Sequence, residues 1–553
     1  MKRAVSLFLA AALAGALLAG CSRNGASSST EEKGEAPADL TEIVLSDSGI
    51  TVDGQPVSTD ETAAVYTARD IVYYEDGQDF TYGAGTESDA HSQEEANAHT
   101  VVYITKPGTY SLSGTLSAGQ VAVDLGEDAE TDPDAVVTLI LNGVDITCTV
   151  APAIIFYRVY ECGSDDAETA SETVDATAAG ANVIIADGTE NSVTGSYVAK
   201  IYKPETVTLN DDGTAVEEAK KLHKYDGALY SKMSMNVDGG ALGTGVLNIT
   251  AENEGLDSEL HLTINGGNIN ILAGNDGINT SEDGVSVTTI NGGTLNVQVT
   301  GETGEGDGID SNGWIVINGG TVISSACSNS ADSGLDSDNG IYINGGTVVA
   351  GGNMYDAVDG GDQTYAVFQF AQRQSGGQTY TLKNGAGETV LEMTPANDFQ
   401  YLVVSSPDLA EGDYTLWQGD TQLGGSTGSV GGPGGGMGRP GGGMGRPDGA
   451  QPPQDGETPP ELPDGETPAQ GNAPDGQNGR PDNAPGEKPE GQPGENGGSD
   501  GQTPLEPPTD GQRPAGGPNG GMGGDDSANA AERSAVFAIQ SGSNQFVNVG
   551  AVE

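Results

Sequence analysis

"GDGIDSNGWIVINGG", residues 306–320, sets one isoleucine between Asp307 and Asp310, then runs a short apolar strand into an Asn-Gly-Gly turn. The unit recurs: Ile264, Ile290, Ile317 and Ile343 each open an INGG turn, at spacings of 26, 27 and 26 residues. A fixed period in this range marks a stacked repeat, because one such unit cannot bury its apolar face alone. It is too short for a propeller blade and carries no helix of the leucine-rich or ankyrin kind. In "LTINGGNINIL", Leu262 and Ile264 share one face before the turn, and Ile269 and Ile271 follow after it. In "DGINT", Ile278 is the lone aliphatic. Three inward-pointing segments per unit predict an all-β parallel β-helix, with three short strands per coil and coils ~4.8 Å apart.

Stacking in register aligns the polar residues that flank each lone aliphatic. One column reads Asp226, Glu254, Asp276, Asp307, Asp356, and the other Asp257, Asn279, Asp310, Asp336, Asp359, with Asp338 close by. Between residues 233 and 372 the chain has 18 Asp or Glu and no Lys or Arg. Carboxylates stacked ~5 Å apart repel by a few kcal/mol per pair at an effective dielectric of ~20. Raised pKa values, solvent screening or bound cations must offset this. Clusters built from carboxylates, amides and carbonyls suit Ca²⁺, which takes 6–8 oxygen ligands. All these residues are therefore expected metal ligands. Asp and Asn are also good turn residues, so solvated acidic turns are the plain alternative. Neither a nine-residue calcium repeat nor an EF-hand loop fits the spacing; residues 336–340 lack the fifth-position Asp and the terminal Glu.

The whole chain carries 21 Lys and Arg against 81 Asp and Glu, a net charge of −60, which argues against nucleic acid as a partner. Met1-Lys2-Arg3, an apolar run over residues 4–18 and Leu18-Ala19-Gly20-Cys21 read as a bacterial lipoprotein signal. The expected organisation is a signal peptide at 1–20, a flexible tether at 21–40 starting at lipid-modified Cys21, and a β-helix domain at 41–423. A disordered Gly/Pro/Asp-rich insertion follows at 424–530, and a final strand segment at 531–553 returns to pack beside residues 400–420. The lipid would place the domain on the extracellular face of the bacterial cell membrane. Cys148 and Cys162 either pair or stay as small buried residues, and Cys327 is expected to be free. Residues 216–224, "VEEAKKLHK", are the best helical candidate.

Together "VVYITKPGTYSLSGTLSAGQVAVDL", "VVTLILNGVDIT", "DGALYSKMSMNVDG" and the serial "DGIDS…INGGT" units resemble the bacterial calcium-binding β-helix carbohydrate-binding domain family. The resemblance spans roughly residues 41–421. It implies a right-handed parallel β-helix, several Ca²⁺ sites and binding to pectate- or cellulose-like polysaccharide. A −60 protein repels a polyanion, so the expected contact is a Ca²⁺ bridge to sugar carboxylates. Tyr225, Tyr230, Lys232 and Trp314 are the candidate sugar contacts. Two other readings stand beside this non-catalytic one: a surface adhesin or scaffold that calcium merely stabilises, and a calcium-dependent polysaccharide lyase whose base is Lys224, Lys232 or Arg373.

Overall fold

Each INGG turn needs both of its glycines. The second lies at positive φ in every repeat, at 96°, 84°, 82° and 84° for Gly267, Gly293, Gly320 and Gly346. A Cβ on the first would meet the turn below; at Gly319 it would stand 2.6 Å from the Asn291 carbonyl oxygen. The asparagines stack as an amide ladder: Asn291 donates to Asn265, Asn318 to Asn291 and Asn344 to Asn318, at 2.9, 2.9 and 2.8 Å. The turns thus lock the register of the strands on either side.

The computed structural model describes residues 40–163, 165–430 and 533–552. The expected signal peptide, the lipidated Cys21, nearly all of the tether and most of the 424–530 insertion lie outside these residues. On the entry side of the turns, Met235–Gly239, Leu262–Ile264, Val287–Ile290, Trp314–Ile317 and Gly340–Ile343 pair in parallel, aligning Ile264, Ile290, Ile317 and Ile343. On the exit side, Val246–Ala251, Asn268–Ala273, Thr294–Val299, Thr321–Ser325 and Thr347–Gly352 form a second parallel ladder.

Both ladders belong to one sheet of 26 strands, and a separate seven-stranded sheet carries Gly227–Ser231, Glu254–Ser258 and Ile278–Thr280. Leu247 and Ile249 of the large sheet share a core with Leu256 and Ile278 of the smaller one. The expected right-handed parallel β-helix is corrected accordingly: the chain forms large mixed sheets in a sandwich-like arrangement. Two features account for the difference. Val137–Thr147 is long enough to pair with strands on both sides of the turn level, which joins the ladders into one sheet. Beyond residue 365 the sheet continues largely through antiparallel pairs, such as Tyr380–Asn384 with Thr389–Met393 and with Gly412–Gln418.

That antiparallel region has its own core, in which Phe368, Phe370, Tyr380, Phe399, Phe537 and Phe546 meet mostly edge to face. Phe537–Ile539 pairs with Gly412–Gln418, and Ser543–Ala551 lies between Tyr365–Gln374 and Thr421–Thr427. Cys148, Cys162 and Cys327 are all free thiols. The helix expected over 216–224 is instead two strands, Val216–Glu218 and Lys221–Tyr225; the latter pairs antiparallel with Val198–Tyr202. A helix sits at Gln93–Ala98, where Ser92 and Glu95 form a capping box.

Candidate metal centre

The lone aliphatics fix the geometry of the acids. Leu256 pairs with Ile278, and Ile278 bridges to Ile309, so Asp257, Asn279 and Asp310 follow one another up the stack. Asp310 then pairs with Asp336. The glycine before each aliphatic lets the backbones approach: a Cβ at Gly277 would lie 2.6 Å from the Gly308 carbonyl oxygen.

Two triads result. Asp226, Glu254 and Asp257 offer carboxylate oxygens within 4.8 Å of one another, and so do Asp307, Asp310 and Asp336. The first is deeply buried, with Asp226, Glu254 and Asp257 at 7%, 4% and 1% exposure. Asn279 Nδ2 donates to Glu254 Oε1 at 3.1 Å. Glu254 Oε2, Asp257 Oδ1 and Asn279 Oδ1 are buried with no hydrogen-bond partner among the described residues. Native proteins rarely leave buried oxygens in this state, because each costs about 1–3 kcal/mol. Burial, followed by the neighbouring carboxylates, pushes the Glu254 and Asp257 carboxyls well above the ordinary range. Burial also raises Asp226, against the opposing pull of Lys224, whose Nζ lies 2.8 Å from Asp226 Oδ2.

In the second triad burial again leads, and adjacent carboxylates add to it, raising Asp307 and Asp310 well above the usual values. Backbone donors hold these acids in place: Ser333 N donates to Asp307 Oδ1 at 2.6 Å and Asp307 N to Asp276 Oδ1 at 2.7 Å. Asp276 is pushed up to about 7, chiefly by burial. Asp356 rises to about 6 for the same reason, helped by Asp336, and its Oδ2 accepts from Ser337 N at 3.1 Å. Asp338 is exposed, and its charge is felt at Asp310.

Two members of the expected columns pair out of the expected register, although Glu254 still joins Asp226 in the first triad. Glu254 pairs with Gly227 rather than with Asp226, although its N–H donates to the Asp226 carbonyl at 3.2 Å. Asp359 is exposed on Val358–Gly360, which pairs with the turn-entry strand Gly340–Ile343, and its Oδ2 accepts from Ile341 N at 3.1 Å. Asp332 was missed in the columns. Ser333 stands where Asp307 stands one repeat earlier, and the acid is displaced by one residue; Asp332 Oδ2 accepts from Gly306 N at 2.8 Å. Glu259 was also missed: it pairs with Lys221 at 2.9 Å and accepts from the Tyr230 hydroxyl.

Of the candidate sugar contacts, Tyr225 and Tyr230 are 5% and 1% exposed and meet edge to face at 5.3 Å, so their rings build core. The Tyr225 hydroxyl contacts His223 Nδ1 at 2.7 Å. Lys232 lies near His223, whose pKa is lowered by burial and then by that lysine. Trp314 is half-buried at the start of its strand, opposite Val287 and Gly340.

The site's oxygen-only donor set can be set beside known proteins. A carbohydrate-binding domain-containing protein of Acetivibrio thermocellus is 28% identical over 173 residues, which is 31% of this chain and 45% of the relative. The chain therefore spans less than half the length of that curated relative. A solved polysaccharide lyase-like protein from C. thermocellum, a gadolinium derivative, aligns at a TM-score of 0.30 and 19% identity, over 56% of this chain and 93% of that one. Residues 98–367, which include both triads, match a family model described as carbohydrate-binding domain-containing protein.

Proposed function

We propose that this protein is a carbohydrate-binding protein that holds Ca²⁺ in its carboxylate triads and uses it to take an acidic, pectate-like polysaccharide without cleaving it. The observation that carries this reading is the pair of oxygen-only triads, one of them with buried oxygens left without hydrogen-bond partners. Such sets fit a hard cation with 6–8 oxygen ligands. When bound, Ca²⁺ supplies the positive charge that draws in sugar carboxylates. The chain's own residues would do the rest. Asn279 orients Glu254, and the Ser333 and Asp307 amides orient Asp307 and Asp276. Asp310 is half-buried and lies near exposed Asp338, which supports the second triad as the one that faces the polymer.

One observation favours a second reading for the first triad. Asp257 is 1% exposed, a depth that suits a cation holding the fold together, as in a calcium-stabilised scaffold. A lyase reading would need an unprotonated base. The Lys224–Asp226 ion pair at 2.8 Å favours the protonated form of Lys224, one of the three candidate bases. Under the same reading, the lipid on Cys21 tethers the domain to the outer face of the cell membrane.

The test is binding of polygalacturonate to the full chain with and without chelator, followed by chromatography of the polymer. Calcium-dependent retention without shorter chains or unsaturated ends is expected. Release of unsaturated oligomers would replace this reading with a lyase.

A further inference from the structure

The first strands of the chain enclose a cleft that shares no residue with the triads. One side comes from the large sheet, where a turn at residues 46–49 follows the strand Leu40–Leu45 and Leu116 ends the strand Gly108–Leu116. The other side is Val65–Ala68, the edge strand of the seven-stranded sheet, with Arg69 just beyond it. The cleft encloses about 350 Å³, within the range of small-ligand sites. Ile50, Val57 and Leu116 give it an apolar lining, and Asp47 and Arg69 are the charged residues in it among the described residues.

Both charges are held in place, and both have bonding capacity left. Ser117 clamps the Asp47 carboxylate: its N–H donates to Oδ1 at 2.8 Å and its hydroxyl to Oδ2 at 2.6 Å. The hydroxyl, followed by the amide, holds the Asp47 carboxyl below the ordinary range, so the group is charged at neutral pH. An ionised carboxylate has about four acceptor positions, so free positions remain after these two bonds. Arg69 Nη1 donates to the Asn97 carbonyl in the helix Gln93–Ala98. That bond uses one of the five guanidinium N–H donors. Neither Asp47 nor Arg69 forms an ion pair among the described residues.

The charges select the ligand. A simple anion suits Arg69, but it meets Asp47 and the field of a chain with net charge −60. A simple cation suits Asp47, but it meets Arg69, and the carboxylate triads offer it more. A zwitterion answers both groups and carries no net charge. Because Asp47 and Arg69 do not pair with each other, the ligand's two charges must stand apart, as the termini of a dipeptide do. We propose that this cleft binds a dipeptide with free termini, its amine at Asp47, its carboxylate at Arg69 and an apolar side chain against Ile50, Val57 and Leu116. Arginine suits the second role because its planar fork can give a carboxylate two parallel N–H bonds. The site depends neither on calcium nor on the carbohydrate-binding reading above.

Calorimetry of the full chain with Ala-Leu and Leu-Ala tests it, each peptide also being run in N-acetylated and in C-amidated form. At least one free dipeptide is expected to bind, equally in calcium and in EDTA. Blocking either terminus should weaken binding about fivefold, the scale of an exposed ion pair. Asp47→Asn and Arg69→Gln should each do the same to the free peptide, with melting temperature unchanged. The acetylated form should no longer respond to Asp47→Asn, nor the amidated form to Arg69→Gln. Absence of binding by both free dipeptides would overturn the proposal. So would blocked peptides that bind the parent as tightly as the free ones, a result that needs no variant. Binding that both folded variants retain undiminished would overturn it too.

Discussion

Asp226 of the first triad pairs with Lys224, whereas Asp307, Asp310 and Asp336 all lie, like Glu254 and Asp257, in a 140-residue stretch, 233–372, that contains no Lys or Arg. Lys224 reaches Asp226 from the hairpin strand Lys221–Tyr225, and Lys221 reaches Glu259 from the same strand. The first triad is thus partly neutralised by the protein itself, although Glu254 Oε2 and Asp257 Oδ1 remain without hydrogen-bond partners. In the second, we propose, an added cation takes the place of that lysine. The difference teaches that one repeated sequence pattern can house two kinds of charge balance, decided by what a neighbouring hairpin carries.

The largest effect is expected from chelating the proposed Ca²⁺. A ligand held at a hundred times its Kd stabilises the folded state by about 2.7 kcal/mol per site. Chelation should therefore lower the melting temperature. Hydrogen exchange should quicken more at Asp310–Ser311 and Asp336–Ser337 than at Gly227–Ser231. Equal loosening at both triads would remove the distinction between them.

A smaller effect is expected from Lys224→Met. The lysine side chain is 45% exposed, so solvent screens the pair. A loss of about 1 kcal/mol is expected rather than the larger cost of breaking a fully buried pair. Calcium should restore more stability to this variant than it adds to the parent, because the first triad would then have the metal without the lysine to balance it. Denaturant unfolding with and without calcium measures both effects.

A pH series sharpens the same point. In the cation-free protein, carboxyls with raised pKa values hold protons that the unfolded chain has released. Their contribution to stability is full below the unfolded value near 3.8 and is lost as the pH rises through the folded values of about 6 for Asp356 and about 7 for Asp276. Chelated protein should accordingly melt at lower temperature at pH 8 than at pH 5, and calcium should flatten the trend. Calcium affinity should rise over the same interval, because the ligands must shed protons. The smallest effect is expected from Asp359→Asn. This exposed residue accepts one backbone N–H and lies off the acidic ladder, so calorimetric calcium affinity should not change.

Much of this was legible in the residues. The INGG spacing was readable because two glycines and a stacking asparagine are each required at the turn, and the lone aliphatics Ile278, Ile309 and Leu335 marked where the flanking acids fall. The closure of the sheets was not readable. A repeat period reports which residues stack, but not that Val137–Thr147 spans both ladders or that Phe399–Ser405 turns the sheet antiparallel. Asp332 escaped because a serine holds its aligned position and the acid sits one residue earlier. Lys224 was visible only as a flanking base, since its strand has charge at the spacing of a helix face and pairs with Val198–Tyr202, which has no local signature. The burial of Tyr225 and Tyr230 follows from that same hairpin.

Calcium titration of the chelator-stripped full chain by calorimetry tests the central claim most directly, with the parent compared to a variant carrying Asp307→Ala, Asp310→Ala and Asp336→Ala. At least two classes of site are expected in the parent, with loss of one in the variant together with its calcium-dependent retention of polygalacturonate. A parent that binds no calcium, or a folded variant that binds it and the polymer undiminished, would rule out calcium held by Asp307, Asp310 and Asp336 as the polymer's contact.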